Sequence, residues 1–328
     1  MTRTLNSLSN KGIVFYDNQA RTVFKDALST YIEHRMLYRE FHAENGSAPQ
    51  HWGIPNRVLS GSPEHLVFLY FTTLVTLRAE SDAVFRQMVG LWQERQEFFQ
   101  ESVVSMEEKE IEETLRRIGY INPSQLAPRW KKCAQTLFQD LDGNPLRVFG
   151  GHQSIDAVMV AFKGQGKNRL PGYGPKLLSL LALFYRELGA IGDVDGAFPV
   201  DLHVQRICIT TGIITGAGIV DSVTAVAEPL RREISRICAQ ERMDPLALSH
   251  ALWFLGAKLC VQCDKSATEL LCPVHTHCSG GVTSTRIYHK KGRWDLGNPD
   301  RKPKGPQLAF DVEFALRLLS QRVRKQRE

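Results

Sequence analysis

Apolar residues return every three or four positions along most of this chain, and hardly anywhere at every second position. That period belongs to helices with one buried stripe, so an all-α fold is expected. Leu66, Leu69, Tyr70, Thr73, Leu74 and Leu77 form the clearest stripe, and Ser62 and Pro63 are placed to start its helix. Phe85, Met88, Val89 and Trp92 give a second stripe, and Ile111, Leu115 and Ile118 a third. Trp130, Cys133, Leu137 and Leu141 give a fourth, stopped by Asp142-Gly143-Asn144-Pro145. Residues 22–41, 177–188, 204–214 and 245–259 also read as helices. Residues 45–63, rich in Gly, Pro and Ser, read as a loop. Residues 280–310 read as irregular, and a last helix is expected near 308–324.

With 328 residues, 43% of them hydrophobic, the chain can bury a sizeable core in one large domain or two small ones. The most apolar run, residues 66–77, is shorter than the roughly 20 residues a membrane span needs. Residues 1–11 are polar and show no signal peptide, so a soluble, cytoplasmic protein is expected. The net charge of +6 suits a polyanionic partner without establishing one. The excess is concentrated late: residues 286–328 hold twelve Lys and Arg against five Asp and Glu, a net of +7. Such a tail can be merely solvated, or it can meet phosphates.

Two short segments carry the chemistry. Leu170-Pro171-Gly172-Tyr173-Gly174-Pro175-Lys176 reads as a Gly-x-Gly turn leading into a helix. Glycines allow a sharp turn and close approach of another group, and the new helix offers unpaired N–H groups to an anion. Alone, this pattern also fits an ordinary loop-to-helix join. Val200-Asp201-Leu202-His203-Val204-Gln205-Arg206 follows, with Asp201 just before a helix. Asp201 is a good N-cap there, and a carboxylate in that place can also act on a substrate. Asp193 and Asp195, beside glycines, read as turn residues.

In these two segments the chain resembles the endonuclease III-like branch of the helix-hairpin-helix (HhH-GPD) DNA glycosylases, which carry Leu-Pro-Gly-x-Gly-x-Lys and then Val-Asp-x-His-x-x-Arg. Fainter likeness extends upstream through Ile118-Gly119-Tyr120 and Asp142-Gly143-Asn144-Pro145, covering roughly residues 64–278. The resemblance implies a six-helix barrel with a helix-hairpin-helix motif over 62–196 and a second, helical domain over 197–280. Residues 1–61 would be an N-terminal extension packing partly with the C-terminal domain, and 281–328 a basic extension. It further implies a bifunctional DNA glycosylase and AP lyase that flips a modified base out of double-stranded DNA. Lys176 would attack C1′ and form a Schiff base, assisted by Asp201; Gly172, Tyr173 and Gly174 would meet a DNA phosphate. An amine must be neutral to attack, so the site must disfavour its protonated form or a base must take the proton. One of Arg78, Ala79 and Glu80 would fill the gap left by the flipped base. A monomer is expected, nucleoid-associated in a prokaryotic cell.

Four of the seven cysteines, Cys260, Cys263, Cys272 and Cys278, share one window, which in an intracellular protein reads as metal ligation before disulfides. The resemblance implies a [4Fe–4S] cluster there. The family's gaps are six, two and five residues; here they are two, eight and five. Structural zinc is the alternative, since Cys-x-x-Cys followed by another pair suits a tetrahedral site and His275 and His277 are further donors. All-thiolate ligation suits the cluster. Two other functions stay open at this point: a monofunctional glycosylase, and a non-catalytic helix-hairpin-helix DNA-binding protein with a structural metal site.

Overall fold

The computed structural model describes residues 2–5, 12–39, 50, 53–76, 81–120, 122–164, 168–216, 223–260, 271–278, 288–290 and 293–295. Arg78, Ala79, Glu80, Cys263 and residues 296–328 of the basic C-terminal segment lie outside the described residues. The chain divides into two compact units, one made of residues 1–46 with 200–328 and the other of 47–199. The structure is mostly helical, with strands that helical periodicity does not foresee.

The first unit begins with β1 (Thr2–Leu5) and β2 (Ile13–Tyr16), followed directly by α1 (Asp17–Ile32). β2 is a run of β-branched and aromatic residues that alternates: Ile13 and Phe15 are buried while Tyr16 is exposed. In α1 the buried residues Ala20, Val23, Phe24, Ala27, Leu28 and Tyr31 recur at helical spacing. The helix starts earlier and stops sooner than expected. His34 and Met36 take left-handed backbone angles just past it.

The second unit holds α2 (Pro63–Val75), α3 (Ser81–Glu94), α4 (Glu108–Arg117), α5 (Pro123–Gln135), α6 (Ile155–Lys163) and α7 (Pro175–Glu187). The Ser62 side chain caps α2 by accepting from the His65 amide at 3.2 Å. Nearly all of α2 is buried. It brings Phe68 and Phe71 into an aromatic core with Trp92, Phe99 and Trp130, the Phe71 and Trp130 rings stacking at 4.5 Å. After α5 one wider helical turn, Thr136–Asp140, leads to Asp142 and Gly143, both at positive φ, and the helix ends there.

The chain then returns to the first unit with α8 (Leu202–Thr210), β3 (Ile214–Thr215), α9 (Val223–Glu241) and α10 (Pro245–Phe254). β2 lies between β1 and β3, antiparallel to both, with Val14 opposite Thr215 and Phe15 opposite Ile214. This ladder joins the N-terminal strands to residues 214–215 within one unit. α1 packs on α9 and α10, and an ion-pair line reinforces the contact with α9: Asp17 with Arg236 at 2.8 Å, Lys25 with Glu241 at 2.8 Å. A separate hairpin, β4 (Tyr288–Lys290) with β5 (Arg293–Asp295), stands where an irregular segment was expected. Among the described residues no helix is long and apolar enough to cross a membrane.

Candidate functional site

The Gly-x-Gly turn sits between α6 and α7. Ser154 caps α6 by accepting from the Ala157 amide at 3.2 Å, and Ile155, Val158 and Phe162 bury one face of that helix. The Arg169 amide donates to the Phe162 carbonyl at 2.9 Å.

The turn itself is anchored from below. Tyr173 is completely buried, and its hydroxyl donates to the Tyr70 carbonyl. The Tyr70 hydroxyl donates to the Cys133 carbonyl at 3.1 Å, and the Cys133 thiol donates to the Pro171 carbonyl at 3.3 Å. α2, α5 and the turn are thereby tied in one buried chain. Burial raises the pKa of both tyrosines and pushes the Cys133 thiol up to about 12, so all three remain protonated donors at neutral pH. The Tyr173 side chain is thus a foundation of the turn and has no face left for a phosphate. Its amide is also engaged, donating to the Leu170 carbonyl at 3.2 Å.

The two glycines differ in kind. Gly172 has φ +94°, and a Cβ there would stand 2.7 Å from Leu74 Cδ1, so the fold demands glycine. Gly174 has φ −102°, and a Cβ there would meet nothing within 4 Å. Neither backbone strain nor internal packing requires glycine at 174. Gly174 is also the N-cap of α7 and offers no side-chain cap, while Pro175 has no N–H, so the first turn presents uncapped amides. We expect Gly172→Ala to cost about 2–3 kcal/mol of stability, from left-handed strain together with the clash. Gly174→Ala should stay within about 0.5 kcal/mol. Thermal melts check both.

Lys176 is the second residue of α7, half-buried, in the turn that carries those amides. Asp201 belongs to the other unit and is the N-cap of α8. Its Oδ1 accepts from the amides of His203 at 2.8 Å and Val204 at 2.9 Å. Both bonds fall on one oxygen; among the described residues Oδ2 takes none. The rest of that motif docks helices. Gly256, in the wide turn after α10, lets the backbone of His203 approach so closely that a Cβ on it would stand 2.6 Å from His203 Cβ. The Arg206 guanidinium donates to the Gly256 carbonyl at 3.1 Å.

Two cations that the motifs do not single out flank the turn. Lys163, the last residue of α6, donates from Nζ to the Tyr173 carbonyl. Arg129, on α5, runs past Gly172, its Cδ 3.4 Å from where a Cβ of Gly172 would lie. Their positions in the sequence carry no pattern; only the fold brings them to the turn.

Cys260, Cys272 and Cys278 are half-buried, and none of them is in a disulfide. Cys260 and Cys272 both lie close enough to the buried Tyr38 hydroxyl to push its pKa further up, after burial itself. His277 is engaged elsewhere, with Nε2 at 2.9 Å from Asp26 Oδ2. Among the described residues no three His, Cys, Asp or Glu side chains form a metal-holding group. Cys133 and Cys208 are fully buried, and burial raises their pKa, so they are core thiols.

No family profile and no curated protein matches the chain. Among solved structures, the 8-oxoguanine glycosylase/lyase of Methanocaldococcus jannaschii, in complex with a 15mer DNA containing 8-oxoguanine, is similar with a TM-score of 0.46. The identity is 12%, over 71% of this chain and 95% of that one. The 8-oxoguanine DNA glycosylase of Thermotoga maritima is similar with a TM-score of 0.46 and 15% identity, over 72% of this chain and 96% of that one.

Proposed function

We propose that this protein is a bifunctional DNA glycosylase and AP lyase acting on double-stranded DNA. The observation that carries the reading is the turn before α7. Gly174 is a glycine that the fold does not require, and it opens onto an uncapped helix N-terminus with Lys176 in its first turn. A site of this kind lets a phosphate come close to backbone amides and puts an amine beside it.

In the reaction, the Lys176 amine attacks C1′ of the modified nucleotide. The bond from C1′ to the base breaks, and the base leaves with the electron pair and a proton. Asp201 would take the proton released by the amine, pass it to the departing base, and offset the positive charge that develops on the sugar. The sugar ring opens to a Schiff base on Lys176. Loss of a C2′ proton then expels the 3′ phosphate, nicking the strand, and water frees the lysine.

The thiolates of Cys260, Cys263, Cys272 and Cys278 suit a [4Fe–4S] cluster. His277 is committed to Asp26, so a mixed zinc site would not draw on it. The cluster would tie the end of α10 to the segment after it and take no part in the sugar chemistry. Anaerobically purified protein should be brown, with about four iron and four acid-labile sulfide per chain. Colourless protein holding zinc defeats the assignment.

The test of function is incision of a duplex carrying one abasic site, which avoids guessing the base. The reading expects a nick that leaves an unsaturated aldehyde at the 3′ end. Tight binding without a nick would instead support a binding module or a glycosylase that only removes the base.

A further inference from the structure

We propose that Arg129 and Lys163 form a two-cation seat for a DNA phosphodiester beside the hairpin turn, additional to the amides of Gly172 and Gly174. The inference rests on the DNA-binding reading of that turn and adds side chains to a site otherwise built from backbone.

The placement is the first argument. Arg129 passes alongside Gly172 and Lys163 holds the Tyr173 carbonyl, so the two cations stand on neighbouring residues of one turn. The second argument is the absence of compensation. Elsewhere in the same unit Arg95, Arg116, Arg147, Arg169 and Arg186 each meet an Asp or Glu. Among the described residues neither Arg129 nor Lys163 does. Both are half-buried, where like charges repel more strongly than in water. The Lys163 pKa is lowered, chiefly by burial; Cys133 opposes this, and Arg129 adds a smaller lowering.

A fold gains nothing from holding two uncompensated cations together beside open, uncapped amides. A phosphodiester placed there meets both charges, and the repulsion becomes attraction. Arginine suits this role because its planar fork can engage two phosphate oxygens. Lys163, already bonded to the turn, contributes its charge and fixes the loop.

The test is the salt dependence of binding to undamaged duplex, measured by anisotropy for the native chain, Arg129→Gln and Arg129→Lys. Each lost phosphate contact lowers the slope of log K against log salt by about 0.9. Between 50 and 200 mM salt, Arg129→Gln should therefore lose about 3.5-fold less affinity than the native chain. Arg129→Lys, keeping the charge, should keep the native slope. Melting curves matching the native chain would show that the fold is intact. An Arg129→Gln protein with the native slope and affinity overturns the proposal, even where the native chain still nicks abasic duplex. A native chain that neither binds nor nicks duplex DNA instead overturns the reading of the turn, and this seat with it.

Discussion

Lys176→Ala is expected to leave the fold and duplex binding nearly intact and to reduce incision of abasic DNA to the uncatalysed background. The lysine lies half-buried in the first turn of α7, and alanine is the best helix former, so stability should change by no more than about 0.5 kcal/mol. The anchors of the turn are Tyr173, Tyr70 and Cys133, and none of them touches the substitution. One cation is lost, which at moderate salt should leave affinity within about tenfold. The nucleophile has no replacement, because Schiff-base formation needs a primary amine at the sugar. If Lys176 only gripped phosphate, affinity and incision would fall together. A variant that binds but does not cut separates these two roles.

Asp201→Asn should slow base removal by about 10² to 10⁴ while the protein stays folded. The capping geometry makes this variant informative. Asp201 Oδ1 accepts from two amides of α8, and asparagine retains an acceptor in that place and ranks with aspartate as an N-cap. Only the charge is lost, which costs about 0.3–1 kcal/mol at a helix N-terminus. Asp201→Ala removes the cap as well, at about 1 kcal/mol more. Comparing the rates and melts of the two variants divides chemistry from capping. Equal, near-native rates in both would assign Asp201 a structural role alone.

Most helices are legible in the chain because each buries one stripe, α2 by its apolar run and its Ser62-Pro63 start although it is buried almost all round, and Asp201 is legible as a cap because it precedes an apolar helix. The strands are less so. β1 has no apolar alternation to announce it, and the short β3 exists only because β2 supplies its ladder from the far end of the chain. The hairpin of β4 and β5 hides in a stretch dominated by charge and glycine. At the turn, the motif names Gly172, Gly174 and Lys176, but not what distinguishes the two glycines. That distinction depends on Leu74, on a helix distant in sequence. The burial of Tyr173 is equally non-local, since Tyr70 and Cys133 define its pocket. Arg129 and Lys163 have no motif, and only the packing of α5 against the turn brings them together.

The most direct measurement of the central claim is borohydride trapping on duplex DNA carrying a single abasic site, followed by peptide mapping of the adduct. The account predicts a covalent protein–DNA adduct whose modified residue is Lys176. Tight binding to the abasic duplex with no adduct, or an adduct mapped to another lysine, would contradict it.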